Sequence, residues 1–456
     1  MTYGKDMTYG MDGRDGAYGT DTPYGTDAAY GTDATHGDAA YAPGPGGYAD
    51  GFPEDAVHLG GARFQSDPTA LYRELRRDHG AVAPVRLDGG LPAWLVLGYR
   101  ELHLVTADSA LFSRDPARWN QWPRVPADWP LAPMIGRNQN SVLHTVGQHH
   151  RERAGVIAEA LESVDPFVLK RYAEEYADDL IDGFCAFGRT ELISQYATLL
   201  PVRVLARVYG FPDEEGPYIV KALNDLTDSG ENALAGQRCL SESVAALVRE
   251  KHVTGGHDVL SRMLRNPYGF TDEEVVQDLM VMMVAGHQPT ADWIGNSLRL
   301  MFTDDRFTVS LSGGRHSVPE AMNEVLWEDT PSQNVAGRWA TADTTLGNRR
   351  VHEGDMLILG VAAANYDPQV RTDSYTLTGG NNAFFSFGHG EHRCPFPAQE
   401  ISEVVARAAI EVLLDRLPDI ELAVPATSLN WRRSPWQRGL AALPVRYTPA
   451  PPYGRA

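Results

Sequence analysis

One cysteine constrains this chain more than any other feature. Cys394 closes the aromatic and glycine-rich segment Phe384-Phe-Ser-Phe-Gly-His-Gly-Glu-His-Arg-Cys394, and a helix-patterned run from about Ala398 to Leu417 follows it. The order puts a thiol at a helix N-terminus, where backbone N–H groups and the positive end of the helix dipole are expected to lower its pKa. A thiolate is the form that ligates a metal. Gly388 and Gly390 let the backbone turn tightly and approach a flat cofactor, and Phe387 can shield the sulfur. Two plainer readings stay open: a small buried hydrophobe, or a zinc ligand with His389 and His392, although a closed zinc site needs a fourth ligand that is not nearby.

Composition limits what surrounds that loop. With 43% hydrophobic residues among 456, the chain can bury a large core, and no uninterrupted apolar stretch reaches the roughly 18 to 20 residues that span a bilayer. Neither a secretory signal nor a lipidation motif opens it, so a cytoplasmic protein is expected. Cys185, Cys239 and Cys394 are too few and too scattered for a disulfide framework. A net charge of −20, from 40 basic against 60 acidic residues, argues against nucleic acid, which requires a basic face.

Residues 1–52 repeat Tyr-Gly at Tyr3, Tyr9, Tyr18, Tyr24 and Tyr30 and carry eight Asp against Lys5 and Arg14, with almost no aliphatic side chains. Burial cannot offset chain entropy there, and a disordered tail is expected, serving either solubility or Tyr-mediated association. From Pro53 onward the texture is globular. Apolar positions recur at helical spacing over Arg151 to Leu161, Ala173 to Phe184 and Glu273 to Phe302, while Trp94-Leu-Val-Leu and Met356-Leu-Ile-Leu suggest strands of a minor sheet. The pattern predicts a mainly α fold with small β-sheets and no βαβ rhythm.

Taken whole, the cysteine loop resembles the signature Phe-Gly-x-Gly-x-His-x-Cys of the cytochrome P450 superfamily, matched at Phe387, Gly388, Gly390, His392 and Cys394. The resemblance implies one large haem domain over residues 53–448, a C-terminal tail at 449–456, and haem b with Cys394 as the axial ligand. Further matches follow in the family's order. His149-x-x-x-Arg153 looks like a pair that contacts the haem propionates, Arg338 in Val335-Ala-Gly-Arg-Trp-Ala like another propionate arginine, and Ala364-Asn-Tyr-Asp-Pro368 like the family's Ala-Asn-Arg-Asp-Pro. One departure is Phe396, between Pro395 and Pro397, where the family usually has glycine; its phenyl ring puts the proximal packing in doubt.

Two further departures concern chemistry and scaffold. Ala285-Gly-His-Gln-Pro-Thr290 aligns with the oxygen-activation motif Ala-Gly-x-(Asp/Glu)-Thr-Thr, with Gln288 replacing the acid and Pro289 the alcohol. Gln cannot titrate, Pro289 should kink the helix, and Thr290 offers a displaced hydroxyl; Gly286, Gln288 and Thr290 are the expected distal residues. The family's Glu-x-x-Arg is here Glu324-Val-Leu-Trp327, its second arginine falls at Gly379, and a common propionate histidine falls at Phe384. Glu324 must then find other donors, face water or be protonated.

Glu-x-x-Trp with Ala-Gly-His-Gln-Pro-Thr is similar to the actinobacterial cytochromes P450 encoded with conservons, which implies conservon signalling proteins as partners and a peripheral membrane association through them. The resemblance leads to a haem-thiolate oxidoreductase acting on a small-molecule substrate with electrons from a ferredoxin and its reductase. The rivals are a one-electron phenol or peptide coupling enzyme and a haem-bearing regulatory or sensor subunit with little turnover. Residues 53 to about 250 should contain the substrate-recognition loops, and the Trp119 to Trp129 stretch reads equally as packing or as a lid.

Overall fold

In the computed structural model the described residues are 52–454, apart from 54, 137–138, 213–214, 228–230, 305, 308–316 and 372–380. The repeat tail, except Phe52, and the Gly379 position therefore lie outside the described residues. Phe52 sets its ring edge-on to Trp94, with centroids 5.4 Å apart.

The run expected at Glu273 to Phe302 forms the helix Asp272–Thr303. Thr271 starts it with a capping box: its hydroxyl accepts from the Glu274 N–H at 3.3 Å, and the Glu274 carboxylate accepts from the Thr271 N–H at 2.9 Å. Apolar side chains cover most of its circumference, so it is buried, and the helices Leu199–Tyr209, Ala233–Thr254, Ser317–Glu328 and Phe396–Arg416 pack around it. Pro289 does not break it. The two other periodic runs form Gly147–Glu162 and Pro166–Asp182; Asp165 caps the latter and Pro166 takes its first position.

The two strand-like runs are neighbours in one sheet. Leu91–Val96 pairs in parallel with Met356–Leu359, Trp94 opposite Leu357. Across the six-stranded sheet the order is Val57–His58, Val82–Leu87, Leu91–Val96, Met356–Leu359, Val335–Ala340, Phe112–Ser113. Period-two alternation divides the side chains between two cores. Ala93, Leu95, Met356 and Ile358 join one that also holds Trp119, Trp129 and Trp436; Trp94, Val96, Leu357 and Leu359 join the other. The tryptophan-rich stretch is therefore packing. A smaller sheet of Glu421–Leu422, Pro444–Arg446 and Arg189–Glu191 lies near the C-terminus. The segment after it is docked: Ala450 N–H donates to the Cys185 carbonyl at 3.0 Å, and Tyr453 N–H and Gly454 N–H donate to Asp182.

Candidate functional site

The cysteine loop folds on its own backbone. Gly388 (φ 73°) and Gly390 (φ 76°) take left-handed conformations, and Gly388 N–H donates to the Phe385 carbonyl at 2.7 Å, Cys394 N–H to that of Phe387 at 2.8 Å. A Cβ at Gly390 would meet the Thr106 carbonyl oxygen at 2.1 Å, so this glycine admits the helix Tyr99–Ala107 rather than a cofactor. Asn365, from the Ala-Asn-Tyr-Asp-Pro segment, clamps the loop: its Oδ1 accepts from Phe385 N–H and its Nδ2 donates to the Leu326 carbonyl, both at 2.9 Å. The helix Phe396–Arg416 begins two residues past the cysteine. Phe396 is 62% exposed, so its ring leaves the proximal packing untouched.

The thiol itself corrects one expectation. Burial pushes Cys394 up to about 12, the reverse of the lowering expected from the helix terminus. Desolvation by the surrounding fold disfavours the thiolate of the uncoordinated sulfur. Zinc finds no support, because among the described residues no three His, Cys, Asp or Glu side chains are grouped to hold a metal ion. His389 Nδ1 instead meets Thr106 Oγ1 at 3.2 Å, and His392 stacks on His150 with centroids 3.8 Å apart.

Cys394 opens into a cavity of about 420 Å³ between the long helix and the loop. One part of its wall is a set of cationic and imidazole groups, the buried Arg114, His144, His150 and Arg338 and the half-buried His392. Several lack partners: Arg114 Nη2, Arg338 Nε and Nη1, His144 Nδ1 and both ring nitrogens of His392 accept or donate nothing. Burial lowers Arg338 to about 10. Burial, then the Arg114 charge, takes His144 to about 3, and His392 falls further through burial and the charges of Arg114 and Arg338. Buried donors that repel one another and have no acceptor fit a group that brings negative charge into the cavity. Together with the thiol, this donor set suits an iron porphyrin with two carboxylates.

The structure sorts the expected residues by helix face. Arg338, Phe387, His392 and Cys394 come together at the cavity, and so do Gly286, Pro289 and Thr290, whereas Gly390 packs against Thr106 and is not part of the wall. His149 and Arg153 do not. Arg153 is fully buried against Asp278, with contacts of 2.8 and 2.7 Å, and His149 pairs with Glu274 at 2.9 Å, so the pair clamps two helices. The face that meets the cavity is His150, Ala154, Ile157 and Leu161, one residue, or about 100° of helix, away. Gln288 is also turned away: it is 1% exposed and its Nε2 donates to Asp292 at 2.8 Å. The Thr290 hydroxyl donates to the Gly286 carbonyl at 2.6 Å, so it binds its own helix. Arg114 and His144 were missed because neither stands in a motif; a buried arginine after a strand-like Leu-Phe-Ser carries no periodic signal. Phe384 packs edge-on to Trp327 at 5.8 Å.

Glu324 has found other arginines. It is 1% exposed, and Arg371 Nη2 donates to it at 2.6 Å and to Glu328 at 3.0 Å, with Arg306 Nη1 3.6 Å from Glu324. Burial, then the Glu324 charge, raises Glu328 to about 7. Trp327, at the arginine position of the Glu-x-x-Arg pattern, is buried and donates Nε1–H to the Asn381 carbonyl at 3.0 Å.

No family model matches the sequence. Among known proteins, the chain is 26% identical over 398 residues to cytochrome P450 107B1 of Saccharopolyspora erythraea, covering 84% of this chain and 96% of that one. It is 25% identical over 403 residues to cytochrome P450 monooxygenase PikC of Streptomyces venezuelae, covering 85% and 92%. Among solved structures, CYP154C4 from Streptomyces sp. ATCC 11861 superposes with a TM-score of 0.79 at 26% identity, over 88% of this chain and 99% of that one. Among the described residues no helix is long and apolar enough to cross a membrane.

Proposed function

Because this chain belongs to the cytochrome P450 superfamily, we propose that it is a haem-thiolate oxidoreductase that carries out a monooxygenase-like oxidation of a small molecule. The observation that carries this is the meeting, in one cavity, of the Cys394 thiol with the unpartnered donors of Arg114, Arg338 and His392. Cys394 would ligate iron, and those three residues would hold the propionates of haem b. Bound haem supplies one-electron and dioxygen chemistry that no side chain has. Electrons would come from a ferredoxin and its reductase.

The chain's own contribution to proton handling is narrow. Gln288 cannot titrate and is turned toward Asp292, and Thr290 gives its hydroxyl hydrogen to Gly286. Gly286, Pro289 and Thr290 shape the distal wall without offering it an acid. Protons would reach the reacting centre from ordered water or a substrate hydroxyl, and one-electron coupling of a phenol or peptide fits the same wall.

That missing acid also favours a second reading, a haem-bearing regulatory or sensor subunit with little turnover. The Glu-x-x-Trp and Ala-Gly-His-Gln-Pro-Thr motifs support it through their similarity to the conservon-associated group, whose signalling proteins would be the partners, with any membrane association peripheral. Spectra of the reduced protein under carbon monoxide test the shared foundation: a thiolate-type Soret band is expected, and its absence from haem-loaded protein would overturn the assignment of Cys394. Coupled NADPH consumption and product with surrogate redox partners, over small aromatic and peptide substrates, then separates enzyme from sensor. A sensor would give no coupled turnover and would change partner binding on haem reduction.

A further inference from the structure

The Tyr-Gly pattern of residues 1–52 recurs far away, in Pro452-Tyr453-Gly454-Arg455. Pro23-Tyr24-Gly25 matches it with the preceding proline, and Tyr3-Gly4-Lys5 matches it with a basic residue following. Tyr9, Tyr18 and Tyr30 are also followed by glycine.

Tyr453 and Gly454 are bound where two helix ends meet. Asp182 ends the helix Pro166–Asp182, and Arg416 ends the helix Phe396–Arg416. A carboxylate at a helix C-terminus opposes the helix dipole, so Asp182 depends on donors from elsewhere. Arg416 supplies one: its Nη2 donates to Asp182 at 2.5 Å while its Nη1 donates to Asp178 at 2.6 Å. Tyr453 N–H and Gly454 N–H supply the others, at 3.0 and 3.1 Å, one to each carboxylate oxygen. The Tyr453 ring lies on the guanidinium, its centroid 3.5 Å from Arg416 Cζ. Both residues of the dipeptide are therefore specified. The guanidinium selects an aromatic ring, and Gly454, at φ 69°, takes a left-handed backbone that a side chain would strain. Gly269 of Pro267-Tyr268-Gly269 takes the same conformation, at φ 70°. Arg416 is buried, whereas Tyr453 is 71% exposed, so the bound dipeptide can be exchanged without opening the core.

We propose that Asp182 and Arg416 form a receptor for Tyr-Gly, and that the N-terminal repeats of a second copy of this chain occupy it in competition with Tyr453-Gly454. The repeats offer several ligands to each receptor, so one copy can bridge others. Tyr453-Gly454 competes from the same chain at an effective concentration on the order of millimolar, and repetition in the incoming segment offsets this through avidity. Self-association therefore rises with protein concentration and strengthens when Tyr453 is lost. This is independent of the haem-thiolate reading.

Sedimentation of the haem-loaded full-length protein, from micromolar to submillimolar concentration, tests it. Average mass should rise with concentration in the parent and more steeply in Tyr453→Ala. It should stay at one chain in a variant carrying Tyr3→Ser, Tyr9→Ser, Tyr18→Ser, Tyr24→Ser and Tyr30→Ser together. A fluorescent peptide of residues 22–32 then isolates the receptor. It should bind Tyr453→Ala about tenfold tighter than the parent, because the tethered competitor is gone. Arg416→Met, added to Tyr453→Ala, should abolish that binding. Placing Gly25→Ala and Gly31→Ala in the peptide should weaken it at least about fivefold through the left-handed backbone, and this arm stands however the Arg416 variant folds. A Tyr453→Ala protein that stays at one chain mass, equal binding of the glycine and alanine peptides, or association unchanged in the five-serine variant would overturn the proposal.

Discussion

Arg338 is 2% exposed, and two of its guanidinium nitrogens meet no acceptor. Such a group is held at a cost that only an incoming anion offsets, and its neighbours Arg114 and His392 make the same demand. Arg338→Leu is expected to release haem at least about tenfold faster in transfer to a haem-scavenging protein, since a charge-assisted hydrogen bond contributes roughly 1.5–3 kcal/mol. Arg338→Lys should recover part of the retention by keeping the charge without the fork. Unchanged release rates in Arg338→Leu would remove this residue from the cofactor site. Arg153, by contrast, has Asp278 as its counter-charge and belongs to the scaffold. Two arginines that look equally suited to an anion are thus separated by what else is within 3 Å of them.

Between elements, two carboxylates of the helix Ser317–Glu328 matter most, the buried Glu324 and the half-buried Glu328. Glu324 and Glu328 share Arg371, which arrives from beyond the Asn-Tyr-Asp-Pro segment, and both also lie near Arg306. Arg371→Met should cost about 3–5 kcal/mol in denaturant unfolding, because it strands charge where water cannot reach. Adding Glu324→Leu should return a large share of that loss, and a purely additive double variant would show that the two side chains do not act as a pair. Glu328 gives the cluster a pH signature. Its folded value, about 7, lies above the ordinary 4.5, so the folded protein holds the proton more tightly between those values. Stability from this group is therefore present at low pH and falls as pH rises from about 4.5 to about 7, by on the order of 1–3 kcal/mol. Melting curves across that range should slope downward more steeply in the parent than in Glu328→Gln; matching slopes would mean that Glu328 does not titrate there.

At the scale of the whole molecule, what could be read from the chain was what is encoded by near neighbours. The long helix, its capping residues, the two strands and the cysteine loop each depend on residues a few positions apart, through periodicity, glycine conformations and caps. Hence the mainly α fold and the cysteine at its helix start were accessible, and the family motif pointed to haem. Direction around a helix and partners across the fold were not accessible in this way. A one-residue choice between His149 and His150 rotates a side chain by about 100°, and only packing against Glu274, Asp278 and Glu391 selects which one meets the cavity. Arg371 lies 47 positions from Glu324, and Arg114 joins Arg338 only because Phe112–Ser113 pairs with Val335–Ala340. Burial was equally invisible: it raised Cys394 where local geometry argued for lowering it, since desolvation depends on everything folded around the sulfur. The sequence by itself determined the local elements and the identity of the thiol. The tertiary structure alone decided which donors surround it and which are left unpaired, because those are properties of long-range contact and exclusion of water.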